Sequence, residues 1–154
     1  MNEQQKKEYY EKIDALEQKF ENEREEINAF IKEHIILKLS DIKEIANVQV
    51  HAASQRQRMS DKISSLRAKI RKHSEKQHQE RKDLYYLYKT KANVRLADPE
   101  INKQIEADLE PKNNFRQVLE NQIDFYRRTI ESIDKIGFAI KYLIEHHRFI
   151  NGGY

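Results

Sequence analysis

The sequence predicts an all-α fold in which elongated helices pack in the manner of coiled coils, and three observations support this. The 154 residues include only three Gly and two Pro, and none of these precedes Pro99. Charged residues make up 36% of the chain against 38% hydrophobic residues, which leaves little apolar material for a thick core. Apolar residues also recur at helical spacings along most of the chain. Because β-rich and doubly wound folds need Gly and Pro at their reversals, they are close to excluded.

The N-terminal stretch predicts one long amphipathic helix. Its apolar stripe consists of Ile13, Leu16, Phe20, Ile27, Phe30 and Ile31, with Lys and Glu between them. An apolar run from Ile35 to Leu39 follows the stripe, and Ser40 stands where it can cap the next helix. We therefore expect a break near residue 40.

A second helix is expected from about Asp41 to about Ala92. Its heptad positions carry Met59, Ile63, Leu66, Ile70, Leu84 and Leu87. Between Arg71 and Asp83 the same positions hold His73, Gln77 and Glu80, so aliphatic burial cannot hold this stretch in place. We expect it either to protrude or to lie against polar groups.

The end of the chain predicts two further helices. Asp98 can cap a helix that has Pro99 at its first position, and Glu110 with Pro111 is expected to end it. Asn114 and Gln117 then offer a capping box for a last helix that stops at Asn151, Gly152 and Gly153. The predicted organisation is therefore long helices over 1–97, a short connecting helix over 98–111 and a C-terminal helix over 112–154.

The C-terminal helix has more apolar residues than one partner helix can cover. Its stripe of Leu119, Ile123, Tyr126, Ile130, Ile133, Gly137, Ile140 and Ile144 is flanked by Ile136, Phe138, Leu143, Phe149 and Ile150. We expect it to pack against copies of itself in a homo-oligomeric bundle, with Gly137 at a close helix crossing or a kink. An intramolecular bundle remains the alternative. The residues expected to oligomerise are Ile130, Ile133, Gly137, Phe138, Ile140, Ile144 and Phe149.

The net charge of +3 hides an uneven distribution. Residues 1–54 carry 8 Lys and Arg against 12 Asp and Glu, and residues 96–154 carry 8 against 10. Residues 55–95 carry 13 against 4, which indicates a surface that meets a polyanion. The sequence has no apolar run long enough for a membrane span, no apolar core of the signal-peptide type at residues 1–12, and no Cys. These features favour a soluble intracellular protein without disulfides.

Signatures of catalysis are missing from the sequence. Phosphate-cradling glycine loops, the nucleophile-elbow pattern GxSxG and the zinc motif HExxH do not occur. Glu75 and His78 match half of a carboxylate di-iron motif, but surrounding Lys and Arg oppose a divalent cation. We therefore expect a protein that is not an enzyme and that uses no metal or other cofactor.

The strongest feature is the segment from Arg67 to Lys91, which is basic and ends in a tyrosine cluster. A cationic track for phosphates combined with aromatic faces for bases is how proteins bind single-stranded nucleic acid without sequence preference. The candidate nucleic-acid-binding residues are Arg67, Lys69, Arg71, Lys72, Lys76, Arg81, Lys82, Tyr85, Tyr86, Lys89 and Lys91. A solvated coiled-coil surface with tyrosines in the helix seam is the alternative. Tyr85 and Tyr88 share a helix face while Tyr86 points about 100° away, so we expect at least one structural tyrosine.

Two parts of the chain together resemble the UvsY family of phage recombination mediator proteins. The family's C-terminal helix pattern is matched by Phe138, Ile140, Lys141, Ile144, Arg148 and Phe149. Its central motif, basic residues before a Tyr-Tyr pair, is matched by Lys82, Tyr85 and Tyr86, with Lys89 and Lys91 following. The resemblance covers roughly residues 75–153. The chain departs from the pattern at Glu80, where the family has a basic residue, and at Leu87, where it has Gly.

The resemblance implies a non-enzymatic accessory protein of phage homologous recombination. Such a protein binds single-stranded DNA, assembles into a ring-like homo-oligomer and helps to load the phage recombinase onto DNA covered by single-strand-binding protein. It would act in the cytoplasm of the infected host cell, without a membrane partner. A coiled-coil scaffold or adaptor, whose basic stretch pairs with acidic partners and which has no specific DNA role, is the alternative from another class.

Overall fold

The computed structural model describes residues 3–91, 97–150 and 152, and it confirms the all-α prediction. Helix α1 spans Glu3–His34, α2 spans Ile45–Lys91 and α3 spans Asp98–Ile150. Two 3₁₀ turns, Ile36–Lys38 and Ile42–Glu44, join α1 to α2. No strand occurs in the described part of the chain. Among the described helices, none has a stretch that is long and apolar enough to cross a bilayer.

Each of the three helices contributes to two compact units. The first unit combines Met1–Gln18 with Ser65–Asn121, and the second combines Lys19–Ser64 with Gln122–Tyr154. Within each unit, segments of α1, α2 and α3 pack against one another. The candidate nucleic-acid-binding segment lies in the first unit, whereas the candidate oligomerisation residues lie in the second.

The core of the first unit has an aliphatic end and an aromatic end. Ile101, Ile105 and Leu109 of α3 are buried against Leu84, Tyr85 and Tyr88 of α2. At the other end the Phe115 ring lies 6.0 Å from the Tyr9 ring and 5.2 Å from the His73 ring, measured between centroids. Tyr9 Oη and His73 Nε2 are 3.0 Å apart, at hydrogen-bond distance. One residue from each helix therefore meets in this cluster.

Between these two ends, polar residues fill the gap in the apolar stripe of α2. Gln77 is buried and donates its amide hydrogen to Asn113 Oδ1. Glu80 forms an ion pair with Lys112, also on α3. The prediction that this stretch lies against polar groups is confirmed, because α3 supplies a polar partner for Gln77 and for Glu80, and Tyr9 of α1 supplies one for His73.

The second unit has a larger aliphatic core. Its buried apolar residues include Phe20, Ile27, Ile31, Ile35, Ile45, Val48, Met59, Ile63, Ile123, Tyr126, Ile133 and Ile140. Several polar groups inside it are paired: Glu23 accepts hydrogen bonds from Lys62 Nζ and from Tyr126 Oη, the latter at 2.8 Å. Arg24 Nε donates to Gln122 Oε1 at 2.7 Å. Gln55 Oε1 and Gln122 Nε2 are buried in the same unit without a hydrogen-bond partner among the described residues.

Helix α3 corrects the predicted organisation of the C-terminal third. The expected short helix over 98–111 and the helix after it are one helix of 53 residues that contains Pro111. An interior proline removes one backbone hydrogen bond and costs about 3 kcal/mol. Here packing against α2 offsets that cost, because Pro111 is buried and the next two residues are bonded to Glu80 and Gln77. Asn114 therefore lies inside the helix and caps nothing.

The capping residue lies one position from the predicted one at both helix starts, and α2 itself begins at Ile45 rather than near Asp41. Asp41, and not Ser40, begins the second 3₁₀ turn, and its Oδ1 accepts from the Lys43 N–H at 2.9 Å. Before α3, the Ala97 N–H donates to the Glu100 carboxylate at 3.1 Å, so the cap is Ala97 and Asp98 is the first helical residue. This shift frees the Asp98 side chain for contacts with α2. The predicted stop after Ile150 is confirmed by Gly152, whose φ is +69°; Asn151 and Gly153 lie outside the described residues.

Candidate nucleic-acid interface

The candidate segment of α2 presents most of its predicted cations to solvent. Lys69, Lys72, Lys76 and Lys82 are exposed, as are Arg67 and Arg71. None of these six side chains forms an ion pair within 4.0 Å with another described residue. The segment from Arg67 to Tyr86 is about 28 Å long at the 1.5 Å rise of an α-helix. It therefore carries six positive charges that the described part of the chain leaves unneutralised.

The exposed cations of α2 fall on two edges of the helix. At 100° per residue, Arg71, His78 and Lys82 project from one edge. Lys69 and Lys76 project from the other side, roughly opposite Ser74. The first edge borders α3 of the first unit, since Ser74, His78 and Arg81 line a groove there together with α3 residues. The unpaired charge of α2 is thus distributed on both sides of the helix.

Two of the predicted cations are already paired within the first unit. Arg81 Nη2 donates to the Glu106 carboxylate of α3. Lys89 Nζ lies 2.9 Å from Asp98 Oδ1 and 3.0 Å from Tyr85 Oη. The hydrogen bonds to Tyr85 and Asp98 raise the pKa of Lys89, and the bond from Lys89 is the main cause that lowers the pKa of Asp98. The side chain of Lys91, the last predicted cation, lies outside the described residues.

The three tyrosines at the end of α2 have different surroundings. Tyr85 packs against the aliphatic core of the unit and donates to Asp98 Oδ1 at 3.2 Å. Tyr88 packs against the same core and donates to Asp108, a hydrogen bond that raises the pKa of its phenol. Tyr86 is 68% exposed. The expectation of a structural tyrosine is confirmed twice, and Tyr86 alone of the three has a ring open to solvent.

A polar groove of about 350 Å³ lies between α2 and α3 of the first unit. Its walls are Ser74, Gln77, His78 and Arg81 from α2, with Glu106, Asn113 and Arg116 from α3. Sequence reasoning missed Arg116 because it expected the helix register to be interrupted at Pro111. The polar gap in the stripe of α2 was the available signal, since buried Gln77 had to face polar residues on another helix.

The predicted oligomerisation residues separate into buried and exposed groups. Ile133 is 3% exposed and Ile140 is 0% exposed, so both belong to the core of the second unit and cannot contact another copy. Ile130 and Ile144 are half-buried in the same unit. Gly137 is exposed, and no described atom of the same chain lies within 4 Å of the position a Cβ would occupy, so its close crossing with another copy stays a prediction. These corrections have one cause: the unit provides the intramolecular partner that the sequence did not reveal.

The exposed group forms a second apolar stripe on α3. Phe138 is 68% exposed and Phe149 is 74% exposed, and Tyr142, which the sequence analysis did not select, is 71% exposed. Their spacing of four and seven residues places them on one face, opposite the face of Ile133 and Ile140. This stripe consists of Phe138, Tyr142 and Phe149, and the described part of the second unit leaves it uncovered.

Comparisons with known proteins add no assignment. No protein-family model matches the chain, and no curated protein or solved structure matches it either. Within residues 3–91, 97–150 and 152, no three His, Asp or Glu side chains come together as a metal site would require. The chemistry available at this surface is that of cations, amides and one exposed aromatic ring.

Proposed function

We propose that this protein binds single-stranded DNA through α2 of its first unit and acts as a phage recombination mediator. The observation that carries the proposal is that six exposed cations from Arg67 to Lys82, on both sides of α2, have no ion pair among the described residues. The same unit neutralises other charges internally, as in the pairs Arg81 with Glu106 and Lys112 with Glu80. Unpaired cations of this kind favour binding of a polyanion, because its phosphates relieve the repulsion between neighbouring cations and because binding releases counterions.

Tyr86 supplies the aromatic component of this proposed interface. Its exposed ring follows Lys82 by four residues, so both project from neighbouring positions on the same side of α2. A base stacked on such a ring is stabilised by about 1 to 3 kcal/mol, whatever its identity. Cations that attract the backbone and one ring that stacks a base favour single strands, since the bases of a duplex already stack on each other.

Self-association is the second part of the proposal. The stripe of Phe138, Tyr142 and Phe149 exposes three large rings on one helix face. Isolated exposed apolar residues are normal on a protein surface, but a contiguous patch of this kind indicates an interaction site. We propose that copies of the chain associate through this stripe into a ring-like homo-oligomer. Several α2 surfaces would then bind one strand together, and each additional subunit would act at high effective concentration.

The proposed partners follow from the resemblance to the UvsY family. They are single-stranded DNA, the phage recombinase and the phage single-strand-binding protein, in the cytoplasm of the infected host cell. Binding along a strand by several subunits would change the path of that strand and favour exchange of the single-strand-binding protein for the recombinase. This activity needs no catalytic residue on the chain itself.

Anisotropy of a labelled single-stranded oligonucleotide, with a duplex as control, tests DNA binding by the full chain across a salt series. We expect preference for the single strand and a slope of log K against log salt of about −0.7 for each phosphate neutralised. Arg71→Ala with Lys82→Ala should weaken binding and flatten the slope. The matched control is Lys12→Ala with Lys32→Ala, two exposed cations on α1. Failure to bind at low salt would leave the coiled-coil scaffold as the better account.

Recombinase loading needs its own assay. Strand exchange by the proposed partner, a phage recombinase, should start sooner when the full chain is added to DNA already covered by single-strand-binding protein. The Arg71→Ala, Lys82→Ala variant should lose this stimulation, and the α1 control should keep it. Tight DNA binding without any stimulation would contradict the mediator role while leaving DNA binding intact.

A further inference from the structure

The polar groove of the first unit has the composition of an anion site. Arg81 and Arg116 line it from α2 and α3, and the amides of Gln77 and Asn113 lie between them. Gln77 is 8% exposed, so this wall is held within the packed part of the unit. Glu106 binds one nitrogen of Arg81, which leaves other guanidinium donors free because a guanidinium has five N–H groups.

Arg116 carries a buried nitrogen that is ion-paired but not hydrogen-bonded. Its Nε lies 3.3 Å from Glu120 Oε1 in an ion pair, yet it makes no hydrogen bond to a described group. A buried N–H without an acceptor is costly, and a charged one more so. An oxygen of a bound anion in the groove is the group that would satisfy it.

Positive charges also outnumber negative ones among the groups that shift the pKa of His73, beside the groove. His73, which precedes the groove residues on α2, has its pKa lowered first by burial and then by the charges of Lys112 and Arg116. Glu80 opposes this effect, and Lys76 adds to it. Cations therefore outweigh carboxylates at the aromatic end of this unit.

We propose that the groove binds one phosphate group of the nucleic-acid backbone, with Arg81 and Arg116 as its cations. The amide groups of Gln77 and Asn113 and the hydroxyl of Ser74 serve as its neutral donors. This inference rests on the proposed function, since the strand is the source of the phosphate. It adds that the strand follows the edge of α2 that borders α3, where Arg71, His78 and Lys82 continue the groove, and not the edge of Lys69 and Lys76.

Two charge-matched double variants of the full chain test this path. Arg81→Ala with Arg116→Ala removes the groove cations, and Lys69→Ala with Lys76→Ala removes two cations from the opposite edge. We expect the groove variant to bind a labelled oligothymidylate about tenfold more weakly and to lose about 0.7 from the salt slope. The opposite-edge variant should change affinity by less than about threefold. Equal losses in the two variants would overturn the proposed path.

A second probe separates failure of the site from failure of the proposed function. Inorganic phosphate should shift the side-chain amide NMR signals of Gln77 and Asn113 in the wild type and in the opposite-edge variant, but not in Arg116→Ala. Arg116→Lys keeps the charge but loses the paired N–H donors of the guanidinium, so it should show a reduced shift. This variant replaces the double variant as the test if the double variant unfolds. If the wild type binds oligothymidylate while Arg116→Ala binds equally well, the groove site is wrong and DNA binding stands. If the wild type binds no DNA, the amide shifts alone decide whether the groove is an anion site.

Discussion

Lys89 Nζ lies 2.9 Å from Asp98 Oδ1, and Tyr85 Oη donates to the same carboxylate oxygen at 3.2 Å. The carboxylate thus contacts two of the residues that the sequence assigned to nucleic-acid binding. It also joins the end of α2 to the start of α3. In the first unit, an acidic residue of the chain itself competes with the proposed ligand.

Replacing Asp98 with Asn should therefore strengthen DNA binding. Without the carboxylate, Lys89 is free to contact a phosphate, and we expect affinity for a single-stranded oligonucleotide to rise about threefold at low salt. Asp83→Asn is the control, since it removes an exposed carboxylate from α2 that has no ion pair with a described cation. Anisotropy titrations of both variants measure the effect. Equal gains would show that only net charge matters and that Asp98 has no special role.

The tyrosines should respond in opposite ways to mutation. Tyr86→Ala removes an exposed ring, so we expect affinity for single strands to fall about tenfold with little change in melting temperature. Tyr86→Phe should retain binding because stacking does not need the hydroxyl group. Tyr88→Phe removes the hydrogen bond to Asp108 and should cost about 1 kcal/mol of folding free energy without affecting DNA binding. Melting curves and anisotropy on the same samples separate the two effects, and loss of DNA binding in Tyr88→Phe would contradict the assignment.

The local helix signals were predictable from sequence because they depend on neighbouring residues. The apolar stripe of α1 and the break near residue 40 follow from spacing and local capping signals, and both are present. The outcome at Pro111 was not predictable in the same way. Its local signal favours a helix end, and only packing against α2, which the sequence does not show, keeps α3 continuous.

The candidate site shows the same limit. Spacing alone showed that Tyr86 points away from Tyr85 and Tyr88, and the exposure of its ring agrees. That Tyr85 and Lys89 are held by Asp98, or that Arg116 faces Arg81, depends on how α2 and α3 are aligned, and periodicity does not fix that alignment. In the second unit the amphipathic pattern identified Ile140 as an interface residue but could not say whether its partner was the same chain or another.

Protonation of His73 should destabilise the first unit in mild acid. Burial and the charges of Lys112 and Arg116 lower the pKa of His73 below its usual value of about 6.5. The unfolded chain then binds a proton more readily than the folded one, so stability is full above about pH 6.5 and falls as the pH drops toward the lower folded pKa. Melting temperatures from pH 7.5 to 5 should show this fall in the wild type.

His73→Gln provides the control for this pH dependence. The amide can still hydrogen bond to Tyr9 but does not titrate, so the variant should lose less stability between pH 7.5 and 5 than the wild type does. An identical slope in His73→Gln and the wild type would show that other groups govern the acid response.

The two apolar faces of the C-terminal part of α3 should separate folding from self-association. Phe138→Glu with Phe149→Glu changes only the exposed stripe, so the helix content and melting temperature should be kept while the mass from light scattering falls toward that of one chain. Ile140→Glu instead buries a charge in the core of the second unit, and it should cost more than about 3 kcal/mol and unfold that unit. Because avidity depends on assembly, the stripe variant should also bind single strands more weakly although its α2 surface is intact. A stripe variant that keeps both the wild-type mass and the wild-type affinity would rule out association through this face. A wild type that is monomeric in light scattering would contradict the proposed self-association itself.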